Sequence, residues 1–568
     1  MTTHTPLPRF HHKKGKTKML FNPPETLAAV DALGRAVTTE TVTRPEKDRA
    51  VGLFYFLWCG EHGRHKPYDI SKIVAADPDA GYHTDSSAWG GVGTYHHWGE
   101  PFYGYYYSDD EWVIRRHMML FCDAGVDFLF FDTTNAVIYE HNAKIVLRVL
   151  QEYHDAGYNI PRVMFYTNTA SGETVQRIYD SIYKVNYCPD TWYYRDGKPL
   201  IIAVKEECSP ETREFFNIKM SQWPNEPDKR GGWPWMDFTR PQRVFENLDG
   251  EEEVINCSVA QHPQIRFGDS VLYGETTNCG RAYHNGANDP APDAYVHGYN
   301  FAEQFDRAIA CDPPVVLVTG WNEWIAGRWE GIPERPIMFV DCANYEYSRD
   351  LEMMRGGYFD NYYLQFIDCV RRYKGQSAAD PAVTRTWHHV PGGNFHRDND
   401  GYDTHFTNTT GRNALKSMTV TYSENTCDVT VTTHAPLSEN REGSQNGRGI
   451  QSCSGIQSCS GSFMQLFLRT EDKNGHAWYY TVIPNPDGTT AEMYCLNSDT
   501  DFTKRVRATT VPMTVSSDSI TYSLPRSDNP VQWFKVCDST EEVKTPEDFY
   551  DKGDTLPAGR LWGVIRPL

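Results

Sequence analysis

VDFLFFDTTN, residues 126–135, sets four consecutive large hydrophobes, Phe128 to Phe131, directly before Asp132. A run without polar alternation predicts a strand covered on both faces, as in a parallel sheet between helices. Downstream, Ala143, Val146, Leu147, Leu150 and Tyr153 recur at helical spacing, and Gly157 supplies a stop. RVMFYTNT (162–169) is the next strand. Val175, Ile178, Tyr179 and Ile182 then form a helix face with Ser171 as N-cap, and PLIIAVKE (199–206) is a further strand. Upstream, Asp110 to Cys122 reads as helical and VGLFYFLW (51–58) as a first buried strand. The Gly-, His-, Trp- and Tyr-rich stretch from there to Tyr107 is too long for a tight connection and reads as a functional loop. Asn300 and Glu303 make a capping-box-like start to a helix bearing Phe301, Phe305, Ala308 and Ile309, which leads into PPVVLVTGWNEW (313–324). Two remaining strands, the fifth and eighth, are placed near 232–238 and 336–341.

Alternating buried strands and amphipathic helices predict a parallel α/β architecture. No Gly-rich phosphate turn follows the first strand, which weakens the doubly wound nucleotide-binding option. Polar residues cluster just after strand ends: Asp132, Asn168, Lys205 and Glu206, Gln261 and His262, and Trp321 to Glu323. A (β/α)8 TIM barrel builds its active site there, and that fold is expected over 49–385. Residues 1–48 are polar and Pro-punctuated, an irregular N-terminal arm. Beyond 385 short β-branched runs alternate with turns (TVTYSENTCDVTVTT, SFMQLFLRT, AWYYTVIP, AEMYCL, ITYSLP), so 386–568 is expected to be an antiparallel β-sandwich. Within it, GIQSCSGIQSCSG (449–461) is a six-residue duplication with the composition of an exposed loop.

Composition narrows the function. The net charge is −20, without the electrostatic footprint of a nucleic-acid binder, while 15 Trp and 34 Tyr exceed what a core needs. Aromatic faces stack on sugars, so a poly- or oligosaccharide is the expected partner. The 14 cysteines show no C-x-x-C or zinc spacing. MTTHTPLPRFHHKKGKTKML has no apolar h-region and does not read as a secretory signal, and no segment reaches the ~18 apolar residues of a membrane span. A soluble protein is expected, with its compartment unassigned. No cofactor or metal is expected at the active site. Asp398, Asn399, Asp400 and Asp403 form a D-N-D-G-x-D cluster that reads first as an Asx-rich turn and second as a Ca²⁺ loop lacking the terminal Glu of an EF-hand.

The strongest chemical signal is VTGWNEWIAGRW (318–329). Glu323 among indoles is expected to be desolvated and fit to donate a proton. Asn322 is expected to bond sugar hydroxyls, with Trp321, Trp324, Arg328 and Trp329 around it. Hydrolysis of a glycosidic bond needs a second carboxyl group. Asp132 is the first candidate and Glu330 the second, with Glu206 and Asp237 behind them. Gln261, His262, Tyr166, Asn168, Lys205 and Trp98 are candidate substrate contacts, and Trp89, His96 and His97 candidate cleft walls. The histidines lack the carboxylate spacing of a metal site.

The chain resembles the glycoside hydrolase family 99 and family 71 group, including WbsX-like proteins. The resemblance is carried by VTGWNEW (318–324), NFAEQFDRAI (300–309) and the SRDLEMM-then-DNYY stretch of 348–363, and it spans roughly 50–370. It implies a (β/α)8 barrel acting on glycosidic bonds, with Glu323 at the position of the first catalytic Glu. In family 99 a second catalytic Glu follows three residues later, but here that position is Ala326. The two-Glu mechanism through a sugar epoxide therefore does not carry over whole. Three rival readings remain: a non-catalytic glycan-binding barrel, a glycosyltransferase, and a polysaccharide lyase built on Tyr283, Arg281 and His262. Arg266 and Arg281 are candidate contacts for an acidic sugar.

Overall fold

The structure is a computed structural model. It describes residues 20, 22–37, 48–64, 66–261, 271–273, 279–339, 344–390, 414–434, 436–437, 463–472, 474–485, 487–526, 530–539 and 542–567. Eight strands run parallel: β1 (Ala50–Tyr55), β2 (Phe128–Thr133), β3 (Arg162–Thr167), β4 (Lys198–Ala203), β5 (Asn217–Gln222), β6 (Gly232–Pro234), β7 (Glu252–Ser258) and β8 (Val315–Thr319). Their order is β6-β5-β4-β3-β2-β1-β8-β7, so the first strand pairs with the last and the sheet curls almost into a ring. No ladder joins β6 to β7 among the described residues. Side chains bridge the gap instead: Trp233 Nε1 donates to Glu253 Oε2 (2.9 Å) and Asn256 Nδ2 to Trp235 O (3.0 Å).

The unbroken hydrophobic runs follow from this geometry. Even-numbered residues of β1 to β3 point into the ring, where Phe54 stacks on Phe130 (4.6 Å) and borders Tyr166 and Trp235. Odd-numbered residues, such as Leu53, Phe131 and Phe165, face the helical layer. That layer comprises α1 (Ile70–Ala76), α2 (Glu111–Ala124), α3 (Glu140–Asp155), α4 (Ser171–Ile178), α5 (Pro210–Phe215), α6 (Tyr299–Cys311) and α7 (Asn361–Lys374). Asp110 caps α2 by accepting from Trp112 N (3.2 Å), and Gly125, with φ 74°, ends it. Gly52 is the one gap in β1's pattern, because a Cβ there would lie 2.2 Å from Phe128 Cε2. Gly52→Ala is predicted to destabilise this part by about 1–3 kcal/mol through overpacking, read as an earlier first melting transition.

Several local expectations are corrected. The fifth strand is Asn217–Gln222 rather than 232–238, where β6 lies, and the eighth is β8 itself. Arg335–Met338, expected as strand eight, pairs with Trp329–Ile332 in a separate hairpin. Ser171 does not cap α4: it opens the helix, and its hydroxyl meets Thr167 Oγ1 (2.7 Å) and Val204 N (2.9 Å). The capping box at Asn300 does not form either. Gly298 (φ 69°) precedes α6, and the Asn300 amide bonds Gln261 and Val259 instead.

The C-terminal residues form a large antiparallel sheet. Its long strand Arg505–Val515 pairs first with Thr490–Leu496 and then with Ser519–Pro525, and so links two groups of strands. The N-terminal lead-in is not wholly irregular. Leu27–Val30 pairs with Trp562–Val564 and so joins this sheet, and Arg371 of α7 donates to Leu27 O (2.9 Å). The 449–461 duplication lies outside the described residues. The eleven described cysteines are free thiols. Among the described residues no helix is long and apolar enough to cross a membrane.

Candidate functional site

The W-N-E-W segment leaves β8 with its side chains diverging. Trp321 turns outward and is enclosed by Phe121 (4.7 Å), His117 (5.5 Å) and Tyr363 (5.9 Å), so it supports the helix layer and offers no face to a sugar. Asn322 clamps the end of β1, with Oδ1 accepting from Phe56 N (2.9 Å) and Nδ2 donating to Phe56 O (3.1 Å). Trp324 stacks on Trp98 (4.3 Å) and donates to Glu352 Oε2 (2.5 Å). Trp98 is itself buried, donating to Asp350 Oδ2 (2.9 Å). Three of the four motif residues, and Trp98, are therefore structural rather than exposed to substrate. Glu323 is the fourth. It is 6% exposed and forms an ion pair with Arg349, whose Nε lies 3.2 Å from Oε2 and whose Nη2 is closer. Arg349 in turn sits over the Trp235 ring (5.5 Å), at the top of the interior cluster.

Asp132 stands on the inward face of β2, two residues beyond Phe130. Tyr55 pairs with Phe131, so the register places Phe56 beside Asp132. Asn322 holds Phe56 from the other side. Asp132 and the segment carrying Glu323 thus stand on either side of the end of β1. Asp132 Oδ1 also accepts from Thr134 N (3.0 Å) and Thr134 Oγ1 (2.8 Å), an Asx turn. Around the pair lies an aromatic rim. Trp58 meets His62 and Tyr95 (5.7 Å each), and His62 stacks on Tyr95 (4.7 Å). Trp223 meets Trp235 (5.5 Å). Trp329, 46% exposed, adjoins Tyr95: a Cβ on Gly327 would lie 3.6 Å from its Nε1 and 3.7 Å from Tyr95 Cζ.

Other expected site residues are placed elsewhere or serve the scaffold. Tyr166 is buried and donates to Trp233 O (2.9 Å), below the mouth. Asn168 is at the mouth, accepting from Ser221 Oγ (2.8 Å). Lys205 is exposed, and its carbonyl anchors Arg213 Nε (3.0 Å). Gln261 is buried and donates to Gln304 Oε1 (2.7 Å). Arg328 is buried and donates to the carbonyls of Gly90 and Thr84, so it holds a loop. Glu330 is exposed on the Trp329–Ile332 hairpin, outside the ring, and Glu206 is exposed in a short helical turn. Asp237 is locked by Arg243 (2.8 Å). Arg281 is enclosed by the Tyr358 and Tyr362 rings (4.4 and 4.5 Å) and donates to Asp350 O (2.8 Å), which removes it as a lyase or acidic-sugar clamp. Trp89 and His96 are buried together (5.6 Å), and His97 packs on Tyr105 (4.8 Å). His262, Arg266, Asp398, Asn399, Asp400 and Asp403 lie outside the described residues. Among the described residues His154, Asp155 and Asp190 bring ligand atoms within 4.8 Å of one another, at the end of α3 remote from the mouth.

Sequence reasoning missed the residues that organise Glu323. They come from one extended stretch, Arg349-Asp350-Leu351-Glu352. Asp350 accepts Glu323 N, and burial pushes its carboxyl up to about 7 despite the pull of Arg281. A folded value raised above the ordinary 3.8 adds stability that is full below that value and lost as pH rises through about 7. The span corresponds to on the order of 4 kcal/mol. Asp350→Asn is therefore predicted to flatten the fall in melting temperature between pH 4 and pH 7, and an unchanged slope would refute this assignment.

No protein-family model matches the chain. No curated protein matches it either. Among the solved structures similar to it are two of the GH99 endo-alpha-mannosidase from Bacteroides thetaiotaomicron, one of them in complex with BIS-TRIS-propane. Each is 15% identical over 58% of this chain and 98% of that one, with TM-scores of 0.32 and 0.33. Likenesses at those scores carry no argument about this chain.

Proposed function

We propose that the curled sheet acts as a (β/α)8 barrel, closed across the β6–β7 gap, with the C-terminal sheet folded as a β-sandwich beside it. The barrel mouth binds a poly- or oligosaccharide and cleaves a glycosidic bond with Glu323 and Asp132. The observation that carries this reading is the presence of Asp132 and Glu323 on segments that stand on either side of the end of β1, near the aromatic side chains of Trp58, Tyr95, Trp223, Trp235 and Trp329. Two carboxyl groups across a sugar-sized gap are what glycoside hydrolysis requires. The ion pair with Arg349 favours the charged form of Glu323. It therefore suits Glu323 to the base or nucleophile role rather than the proton donation expected from sequence, and donation falls to Asp132. The test is reducing-end release from a panel of plant, algal and microbial glycans. Cleavage of at least one class is expected, and its loss in Asp132→Asn and Glu323→Gln.

A second reading, glycan binding without cleavage, is favoured by two observations. Position 326 is alanine, and Asp132 already accepts two hydrogen bonds from Thr134, so neither carboxylate is a ready acid. Saturable glycan binding with no release from any substrate would select it.

A further inference from the structure

The loop leaving β6 closes on Asp237, which accepts from Thr239 N (3.0 Å) and Arg243 N (2.7 Å). Arg240 stands at its turn. Its Nη2 donates to two neutral acceptors, Gln261 Oε1 and, at 2.6 Å, Asn300 Oδ1. Gln261 follows β7 and Asn300 opens α6, so the guanidinium is held at the C-terminal end of the sheet, the end of the mouth. Among the described residues its Nε and Nη1, shielded from solvent, meet no acceptor, and no carboxylate forms an ion pair with it, Glu303 and Asp237 acting on it only at longer range. The acid nearest in sequence on α6, Glu303, accepts from Asn285 N (3.0 Å) instead. By contrast Arg349 has Glu323 and Arg243 has Asp237.

A desolvated guanidinium without an ion-pair partner is unfavourable, as a broken buried ion pair is. The rest of the mouth shares the imbalance. Among the described residues the indole N–H groups of Trp58, Trp223 and Trp235 also meet no acceptor, and Trp235 is only 7% exposed. Among the described residues the mouth is thus rich in unused donors, and Arg240 is a cation there without an ion-pair partner. We infer that Arg240 forms an anion subsite at the mouth, and that the glycan bound there carries a carboxylate or sulfate group. A planar donor fork matches both anions. With the chain at −20, attraction of an acidic sugar must come from such a local contact rather than from the overall field. This inference rests on the glycan-binding reading above.

The full chain is titrated with sodium glucuronate, glucose 6-sulfate and glucose, followed by tryptophan fluorescence and by saturation-transfer NMR. At least one acidic sugar is expected to bind about tenfold more tightly than glucose. Preference for glucuronate identifies the carboxylate, and preference for the sulfate identifies the ester. Arg240→Met is expected to abolish the preference with the melting temperature retained. Should that variant melt early, Arg240→Lys keeps the charge without the fork and is expected to weaken the preference by about fivefold. Equal binding of glucose, no binding of any probe, or a preference that survives both substitutions overturns the inference. Cleavage of an acidic glycan at the same rate by wild type and Arg240→Met would overturn it too, while leaving the hydrolase reading in place.

Discussion

Replacing Glu323 by Gln is expected to lower kcat/KM on the accepted glycan by about 10²–10⁴-fold, the usual contribution of a positioned acid–base group. Gln has nearly the same shape and keeps an oxygen for Arg349, so the geometry around Trp235 should persist. What disappears is the negative charge that Arg349 holds in place. Arg349 then lacks its counter-ion, and some loss of stability should accompany the loss of rate. Rate and stability can be separated because Arg349→Lys keeps a cation beside Glu323. If Glu323 acts chemically, Arg349→Lys retains part of the rate while Glu323→Gln retains almost none, at matched melting temperatures. Full activity in Glu323→Gln would remove the residue from catalysis. Asp132→Asn should behave like Glu323→Gln, although its two hydrogen bonds from Thr134 make a turn defect the competing explanation. Thr134→Val separates them by perturbing the turn without touching the carboxyl group.

The strands that sequence located well are those covered on both faces. Phe128 to Phe131 admit no other placement, because both alternating sets of side chains are buried, one in the ring and one under the helices. Asn217–Gln222 was not legible because its first four residues are only half-buried beside the open gap, so its composition stays polar. The hairpin at 335–338 looked like a strand because it is one, but it pairs locally and never joins the ring. At the site, sequence singled out Glu323 and Asp132, both of which the fold brings to the mouth. It could not tell that Trp321, Asn322 and Trp324 point elsewhere, since that depends on where β8 ends and which elements surround it. Arg349, Asp350 and Glu352 stand in a mixed polar stretch, YEYSRDLEMM, whose composition gives no sign of the burial that partners them. Trp58 closes the β1 run two residues beyond Phe56, the residue that lies beside Asp132.

Glu352→Ala is predicted to be the most destabilising single change at the base of the site, by about 3–5 kcal/mol. Glu352 is fully buried and receives Tyr106 OH (2.6 Å), Trp324 Nε1 (2.5 Å) and His117 Nε2 (2.7 Å). His117 Nδ1 continues the chain to Tyr55 OH (3.0 Å), which lies on β1. One carboxylate therefore ties the loop carrying Tyr106, helix α2, strand β1 and the segment after β8. Truncation to alanine leaves several donors buried without an acceptor and removes the anion that faces His117. Glu352→Gln keeps one acceptor oxygen and should lose less than half as much. His117→Phe preserves volume but strands the Glu352 charge, and should approach the alanine variant. The chain holds two large sheets that need not melt together, so the check is the melting temperature of the first calorimetric transition rather than a single unfolding free energy. Because Trp324 is held by the same carboxylate and neighbours Glu323, the alanine variant should also lose glycan binding at temperatures where it is still folded. Retained binding in a folded Glu352→Ala protein would show that the mouth is positioned independently of this network.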